Sequence, residues 1–306
     1  MKIIRNTKPV EDDEIIDFYS TVATKTIFNN RDFWYGDRTV EQKFLDTHAE
    51  WIKSSKLNSI KGLDSFSTKS IIAGCTEALI DYQWAFRNKR LRFFAGEYVF
   101  NPLSAEEFTY MHDDELREGD ALIISAPFAF LGDVHPEYEK TMEICTQKNI
   151  PVLVDCCMFG SCYDIDIKVD YPCVVGVCFS LSKSFASGRS LRVGTLFSNK
   201  PPSHLDALNF WGYTPQLAAR VATELMNNYT PDFLVNKYKK VQEKVCNHYN
   251  IKTTKTMFIG IGDYSYDKEW PLKFVKLTLN GTDYYKWGLA DALVEVYRED
   301  SQTGQK

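Results

Sequence analysis

One segment of the chain sets a single lysine among hydroxyls, small residues and two arginines: Phe179-Ser180-Leu181-Ser182-Lys183-Ser184-Phe185-Ala186-Ser187-Gly188-Arg189-Ser190-Leu191-Arg192-Val193-Gly194. Strand-like apolar runs stand on both sides of the lysine, at 173–179 and 193–197. A lysine between two such runs is partly removed from water, and desolvation lowers the pKa of an amine and makes it a better nucleophile. The hydroxyls and guanidinium groups suit a phosphate dianion, because an arginine can hold one through two parallel hydrogen bonds.

This segment allows two interpretations. An amine that can attack a carbonyl, beside a loop that suits phosphate, is what pyridoxal 5'-phosphate requires of a protein. An exposed turn that carries ordinary solvated charges would show the same residue types. The choice between the two depends on the surrounding sequence.

Composition and charge exclude several classes of protein. The 306 residues are 44% apolar and 25% charged, which is ordinary for a globular protein with a substantial core. The net charge of -5 argues against nucleic-acid binding, and no apolar run reaches the roughly 18 residues of a membrane span. The N-terminus lacks the long apolar segment of a secretory signal, so we expect a cytoplasmic protein without nucleic-acid or membrane partners.

Eight cysteines lie mostly inside apolar runs and not in paired Cys-x-x-Cys units. This placement is typical of buried free thiols that pack as small hydrophobic side chains, and not of a disulfide framework. Cys156, Cys157 and Cys162 are close in sequence, but no second ligand pair or nearby histidine completes a tetrahedral zinc site there. We therefore expect no metal.

From about residue 69, short apolar runs alternate with helical patterns. The predicted strands cover 70–73, 91–94, 121–126, 151–155 and 173–179. Strands that alternate with helices in this way predict a mostly parallel α/β sheet, and ligands of such sheets gather at the carboxyl ends of the strands. Several polar motifs stand at those predicted strand ends.

The motif Gly74-Cys75-Thr76-Glu77 follows the first of these strands. A glycine turn that feeds a helix leaves free backbone N–H groups at the positive end of the helix dipole, and these groups bind phosphate well. The Thr76 hydroxyl would add a further hydrogen bond. A simple helix N-cap is the alternative interpretation, since Thr76 begins a helix well in any case.

Two more motifs suit a flat, protonated heteroaromatic ring. Asp155 closes the apolar run 151–154, and a carboxylate buried there needs a cationic partner such as a protonated pyridine nitrogen. An aspartate that caps the next turn is the alternative. Tyr98 follows the strand at 91–94 and would stack on such a ring, although aromatic residues make up 14% of this chain.

The order and spacing of these motifs resemble those of fold-type I pyridoxal-phosphate-dependent enzymes, in particular the class I/II aminotransferase-like group. The resemblance covers roughly residues 70–197, under half of the chain. Lys183 stands where the family has its Schiff-base lysine, Asp155 where an aspartate pairs with the pyridine nitrogen, and Tyr98 where an aromatic stacks on the ring. The resemblance assigns the phosphate to Gly74, Cys75, Thr76, Ser180, Ser182 and Arg192.

The sequence also departs from the family pattern. Ala129 stands where an asparagine donates to the phenolic oxygen of the cofactor, and Met158 stands where a tyrosine contacts the same oxygen. Both changes remove donors that keep the proton affinity of the Schiff base low. The spacing from Lys183 to Arg192 is one residue longer than usual, so Arg189 is an alternative phosphate ligand.

The resemblance implies an α/β fold with two domains. The large domain is a three-layer sandwich with a mostly parallel sheet, as in the pyridoxal-phosphate transferases, and the second is a small α+β domain. We predict that the large cofactor-binding domain covers 55–230. The small domain and an N-terminal arm take 1–54 together with 231–306. The chain is short for this family, so the small domain must be trimmed.

Two further residues are assigned to the substrate. Family members often place an arginine in a small-domain strand to hold the substrate's carboxylate, and the nearest match is Lys276 in the alternating run 271–279. A strand lysine that faces solvent fits that position too. The family's active site usually forms at a homodimer interface, and the aromatic loop 34–38, with Tyr35, is the candidate contribution from the partner.

These roles predict an aminotransferase that acts on an amino acid or a related amine. Lys183 holds the cofactor as an internal aldimine, the substrate displaces it, and the freed amine moves protons at the substrate's α-carbon. Lyase, decarboxylase and racemase reactions use the same residues and differ in which α-bond stands perpendicular to the ring. A catalytically reduced protein that keeps the cofactor, and an α/β protein that binds another phosphate ligand, are the remaining alternatives.

Overall fold

The computed structural model describes residues 8–29, 39–185, 191–201, 203–262, 276–279 and 281–304. Its helices are α1 (Asp13–Asn29), α2 (Thr39–Lys53), α3 (Cys75–Ala85), α4 (Phe100–Ser104), α5 (Tyr138–Gln147), α6 (His204–Trp211), α7 (Gln216–Asn228), α8 (Phe233–Tyr249) and α9 (Ala290–Thr303). Its strands are β1 (Ser59–Lys61), β2 (Thr68–Ile72), β3 (Arg90–Phe93), β4 (Phe108–Tyr110), β5 (Asp120–Ser125), β6 (Val152–Asp155), β7 (Asp166–Lys168), β8 (Val174–Ser180), β9 (Gly194–Ser198), β10 (Lys252–Thr253), β11 (Ile259–Gly262), β12 (Lys276–Leu279) and β13 (Thr282–Gly288).

The central sheet has seven strands in the described part of the chain, in the order β2-β9-β8-β6-β5-β3-β4. Strand β9 runs antiparallel to both of its neighbours, and the other pairs are parallel. Six strands therefore end at one edge of the sheet, and β9 begins there. The predicted mostly parallel α/β sheet is confirmed.

Strand β5 shows how this sheet is covered on both faces. All six of its residues are buried, and successive side chains point to opposite faces. Leu122 and Ile124 join an apolar cluster that includes Met142 of α5, whereas Ala121 and Ile123 join the cluster that includes Leu79 of α3. Helices on both faces of a parallel sheet explain why its strands are nearly continuous apolar runs in the sequence.

A second, antiparallel sheet lies in the C-terminal part of the chain, in the order β10-β11-β13-β12. Helices α8 and α9 contact each other, and α8 also contacts β10. The central sheet falls within 68–198 and this smaller sheet within 252–288. Helices α1 and α2 both contact α7.

None of the helices in the described part of the chain has the length and apolar character needed to cross a membrane.

Candidate active site

The carboxyl edge of the central sheet gathers the polar motifs that the sequence singles out. Strand β2 leads into Gly74 and α3, β3 leads towards Tyr98, β6 ends on Asp155, and β8 leads into Lys183. Arg192 comes just before β9, and because β9 is antiparallel its first residues lie at the same edge. The predicted residues that this edge brings together are Gly74, Cys75, Thr76, Tyr98, Asp155, Ser180, Ser182, Lys183 and Arg192. Tyr35 and Arg189 lie outside the described residues.

Gly74 stands in close contact with two groups that suit phosphate. It has a φ of 83°, which disfavours other residues, and a Cβ atom there would lie 2.7 Å from Nη2 of Arg192 and 3.4 Å from Oγ of Ser180. Nη2 of Arg192 also donates to the Thr76 hydroxyl at 3.4 Å. A backbone without a side chain thus faces a guanidinium and two hydroxyls at the N-terminus of α3, which fits a phosphate group.

Ser180 and Ser182 extend this surface along the loop after β8. The Ser180 hydroxyl donates to the Ser182 hydroxyl at 3.0 Å, and the Ser182 backbone N–H donates back to Ser180 at 3.3 Å. Both side chains are buried. The tight turn that results carries the chain into Lys183.

Asp155 is a buried carboxylate at the end of β6, with 2% of its surface exposed. Its Oδ1 accepts hydrogen bonds from the backbone N–H of Cys157 at 2.9 Å and from the Cys178 thiol at 3.6 Å. Burial raises the pKa of Asp155, and the hydrogen bonds from the neighbouring cysteines oppose that rise. A buried carboxylate of this kind is stabilised by a cation placed against it.

Lys183 is a largely desolvated amine close enough to Asp155 to interact with it. Burial lowers the pKa of Lys183; the Arg192 charge lowers it further, and Asp155 and Cys157 act in the opposite direction. Its Nζ lies 5.5 Å from the ring centre of Phe258. The amine at 183 and the carboxylate at 155 therefore interact electrostatically, and a lowered pKa makes that amine a better nucleophile.

Tyr98 is 41% exposed. Its ring stacks on Phe100 with an interplanar angle of 24° and 6.0 Å between ring centres. Its phenol interacts electrostatically with Cys157, Asp155 and Arg192, and its pKa is raised mainly by desolvation. The exposed ring is therefore close to the residues that would surround a flat ligand.

Lys286 is a neighbour of Lys183 that the sequence motifs did not identify. It lies on β13, and its Nζ donates to the carbonyl oxygen of Ala129 at 3.1 Å. Burial lowers the pKa of Lys286 to about 8, with a smaller contribution from the charge of Lys183. The backbone of Lys276 pairs with Tyr285, next to Lys286, while the side chain of Lys276 lies outside the described residues. The turn between β12 and β13 could have indicated Lys286 from the sequence. A hairpin turn predicts a second strand directly after it, and that strand contains Lys286.

Glu97 is a second missed residue. Its carboxylate accepts a hydrogen bond from the Ser125 backbone N–H at 2.6 Å and from the Ser125 hydroxyl at 2.7 Å. Burial raises the pKa of Glu97 to about 7, although these bonds oppose the rise. The Ser125 hydroxyl in turn accepts from the backbone N–H of Ala129 at 2.9 Å, so Glu97 supports the loop that Lys286 contacts.

Comparison with known proteins is informative through structure and not through sequence. No protein-family model matches the chain, and no curated protein matches it by sequence. The chain is similar to the aromatic aminotransferase from Pyrococcus horikoshii at a TM-score of 0.67 and 14% identity, over 100% of this chain and 97% of that one.

Two other solved structures are comparably similar. An aminotransferase from Staphylococcus aureus has a TM-score of 0.64 at 14% identity, over 97% of this chain and 94% of that one. A PLP-bound C-S lyase from Staphylococcus hominis has a TM-score of 0.65 at 11% identity, over 99% and 87%. The likeness thus extends over nearly the whole chain, and the protein has the fold of these aminotransferases and of the PLP-bound lyase, as its sequence motifs predicted.

Proposed function

We propose that this protein is a pyridoxal-phosphate-dependent enzyme and that aminotransfer between amino compounds is its reaction. The observation that carries the proposal is the meeting of Lys183, Asp155 and the Gly74–Arg192 surface at one edge of the sheet. Each group has the chemistry that a different part of the cofactor requires. The fold shared with solved aminotransferases supports the same function.

The residues at the start of α3 and after β8 would hold the cofactor's phosphate. Gly74 allows the backbone to approach closely, Thr76, Ser180 and Ser182 supply hydroxyls, and Arg192 supplies charge. Cys75 contributes the first backbone N–H of α3. Charge-assisted bonds from a guanidinium are stronger than neutral ones, so Arg192 would dominate the affinity for phosphate.

Asp155 and Lys183 would act on the ring and on the reacting carbon. When bound, pyridoxal phosphate withdraws electrons from the α-carbon of an amino substrate, and a protonated ring nitrogen is needed for this. Asp155 would keep that nitrogen protonated, and Tyr98 would cover one face of the ring. Lys183 would supply the amine that holds the cofactor and would accept or donate a proton at the substrate's α-carbon.

Lys286 is the residue that we assign to the substrate's carboxylate, in preference to Lys276. Its ammonium donates a hydrogen bond to the Ala129 carbonyl and interacts electrostatically with Lys183. A lysine offers a point charge where an arginine would offer a bidentate fork, so recognition there depends less on carboxylate orientation.

A second candidate function is another pyridoxal-phosphate reaction, because a C-S lyase is as similar in structure as the aminotransferases. Incubation of the purified protein with a panel of amino acids, followed by visible spectroscopy, tests the proposal. Aminotransfer converts the cofactor to its pyridoxamine form and yields a keto acid. A C-S lyase acting on a sulfur-containing amino acid yields a thiol, ammonia and a pyruvate-type keto acid instead. A protein that takes up no cofactor would contradict both functions.

Assembly, domain division and location are proposed as well. We propose a homodimer, with Tyr35 and the loop 34–38 reaching the partner's site, and a cytoplasmic location. The exposed aromatics Phe210, Trp211 and Tyr213, on and just after α6, support self-association because they are 69%, 68% and 73% exposed.

The two separate sheets support a large domain at 55–230 and a small domain elsewhere.

A further inference from the structure

Asp155 stands among three thiols that come from different elements. Cys75 opens α3, Cys157 follows β6, and Cys178 lies on β8. The Sγ atoms of Cys75 and Cys178 and a carboxylate oxygen of Asp155 all lie within 4.8 Å of one another. The side chains of all three cysteines form hydrogen bonds with the carboxylate.

The spacing of these atoms is close to that of a tetrahedral metal site. Zinc–sulfur bonds of about 2.3 Å and zinc–oxygen bonds of about 2.1 Å place neighbouring sulfur and oxygen ligands about 3.6 Å apart. The distance from Sγ of Cys178 to Oδ1 of Asp155 is 3.6 Å. The other distances, all within 4.8 Å, need to contract by about 1 Å at most to match these bond lengths.

We propose that Cys75, Asp155 and Cys178 form a binding site for a thiophilic divalent cation such as zinc. Two sulfurs and one carboxylate are a soft ligand set, which favours zinc or cadmium over magnesium or calcium. As each metal–sulfur bond forms, the thiol gives up its proton to solvent, so one bound cation releases two protons. Cys157 keeps its proton and its hydrogen bond to Asp155, and a water molecule takes the fourth position.

The cation and the cofactor exclude each other, because both use the charge of Asp155. This part of the inference rests on the proposed function, in which Asp155 pairs with the ring nitrogen. The cation site itself rests only on the three ligands. The sequence offered no sign of it, since Cys75 and Cys178 are far apart in the chain and meet only through the pairing of β2, β9 and β8.

Cadmium is the probe, because cadmium–thiolate bonds absorb in the ultraviolet. We expect cofactor-free full-length protein to bind one cadmium ion with this absorption, and affinity to rise by up to about a hundredfold per pH unit, since two protons are released. C75S and C178S keep a hydroxyl donor for Asp155 but lose a soft ligand, so each should weaken binding at least about tenfold. C246S removes a buried thiol of α8 and should bind cadmium as the natural protein does.

Far-ultraviolet circular dichroism establishes that the serine variants are folded. If folded C75S and C178S bind cadmium as tightly as the natural protein, or if that protein gives no thiolate band, the cation site is refuted. Competition is measured by adding pyridoxal phosphate to the cadmium complex, which should abolish the thiolate band. If cadmium and pyridoxal phosphate bind at the same time, the proposal that they exclude each other is refuted. A protein that binds cadmium but never takes up pyridoxal phosphate would leave the cation site standing and would refute the proposed function.

Discussion

Two buried lysines interact with each other at the candidate site, and burial lowers the pKa of both Lys183 and Lys286. The first is placed by the loop after β8 and the second by β13, so the central sheet and the smaller sheet each contribute one of them. Like charges held near one another disfavour protonation of both amines. This arrangement increases the share of free amine at Lys183 at a given pH, and a free amine is what attack on an aldehyde requires.

The role of Lys183 is testable by covalent trapping. After incubation with pyridoxal phosphate and reduction with borohydride, the natural protein should gain the mass of one reduced cofactor, mapped to the peptide that contains Lys183. K183A should gain none, whereas K53A, which changes a surface lysine paired with Asp64, should gain it fully. Trapping at another lysine in K183A to the same extent would contradict the assignment.

The role of Lys286 predicts a pH dependence. Its pKa of about 8 means that it is protonated below that pH and binds an anion, and that it loses this charge as the pH rises through about 8. Loss of one charged hydrogen bond costs about 1.5–3 kcal/mol, so K286M should weaken binding of an amino acid about 10–100-fold at pH 7. K286R should retain binding and should not lose it at pH 9. Equilibrium binding of the same amino acid by all three proteins provides the test.

The buried carboxylate of Glu97 makes the stability of the folded protein depend on pH. Its pKa is about 7 in the folded protein against 4.5 unfolded, so the folded state binds more protons between these values and stability falls as pH rises through that window. The full cost above pH 7 is about 3 kcal/mol. E97Q should remove this cost, so urea unfolding at pH 8 should show a more stable variant and unfolding at pH 4 little difference. Equal stability of the two proteins at pH 8 would contradict the burial of a charged Glu97.

At the scale of elements, the start of α3 decides whether phosphate is bound. Gly74 approaches Arg192 so closely that a methyl group there must push the guanidinium away, and the φ of 83° adds backbone strain. G74A should weaken pyridoxal phosphate about 10–100-fold, as expected for a lost charged contact, but should affect pyridoxal without its phosphate much less. G119A is the matched control, because Gly119 also has a positive φ and its Cβ would meet open space. If G74A loses affinity for pyridoxal phosphate and for pyridoxal equally, Gly74 does not contribute to phosphate binding.

At the scale of the whole molecule, the aromatics on and after α6 predict self-association. Buried aromatic side chains at interfaces commonly contribute about 2 kcal/mol or more each. The variant F210S/W211S should therefore raise the dissociation constant of the dimer by at least about 100-fold, measured by analytical ultracentrifugation. I27S changes an exposed apolar residue on α1 and should leave the dissociation constant of the dimer unchanged. A monomeric natural protein would refute the proposed dimer.

Much of the site was predictable, because each of its central residues directly follows an apolar run. Asp155 ends the run that becomes β6, Lys183 follows the run that becomes β8, and Gly74 follows β2. Hydrophobic periodicity is a local property, so it locates strand ends, and parallel strands end at a common edge. The sequence by itself therefore determined the fold class and the grouping of these residues.

Only the tertiary structure decided which residues from elsewhere join them. Lys286 joins the site because β13 pairs with β11 and the Lys286 side chain contacts the Ala129 carbonyl and interacts with Lys183. Glu97 is buried because Ser125 at the end of β5 binds it, and Cys75 meets Cys178 across the sheet. These contacts join segments far apart in the chain. They depend on how whole elements pack, and neither residue type nor local periodicity records that packing.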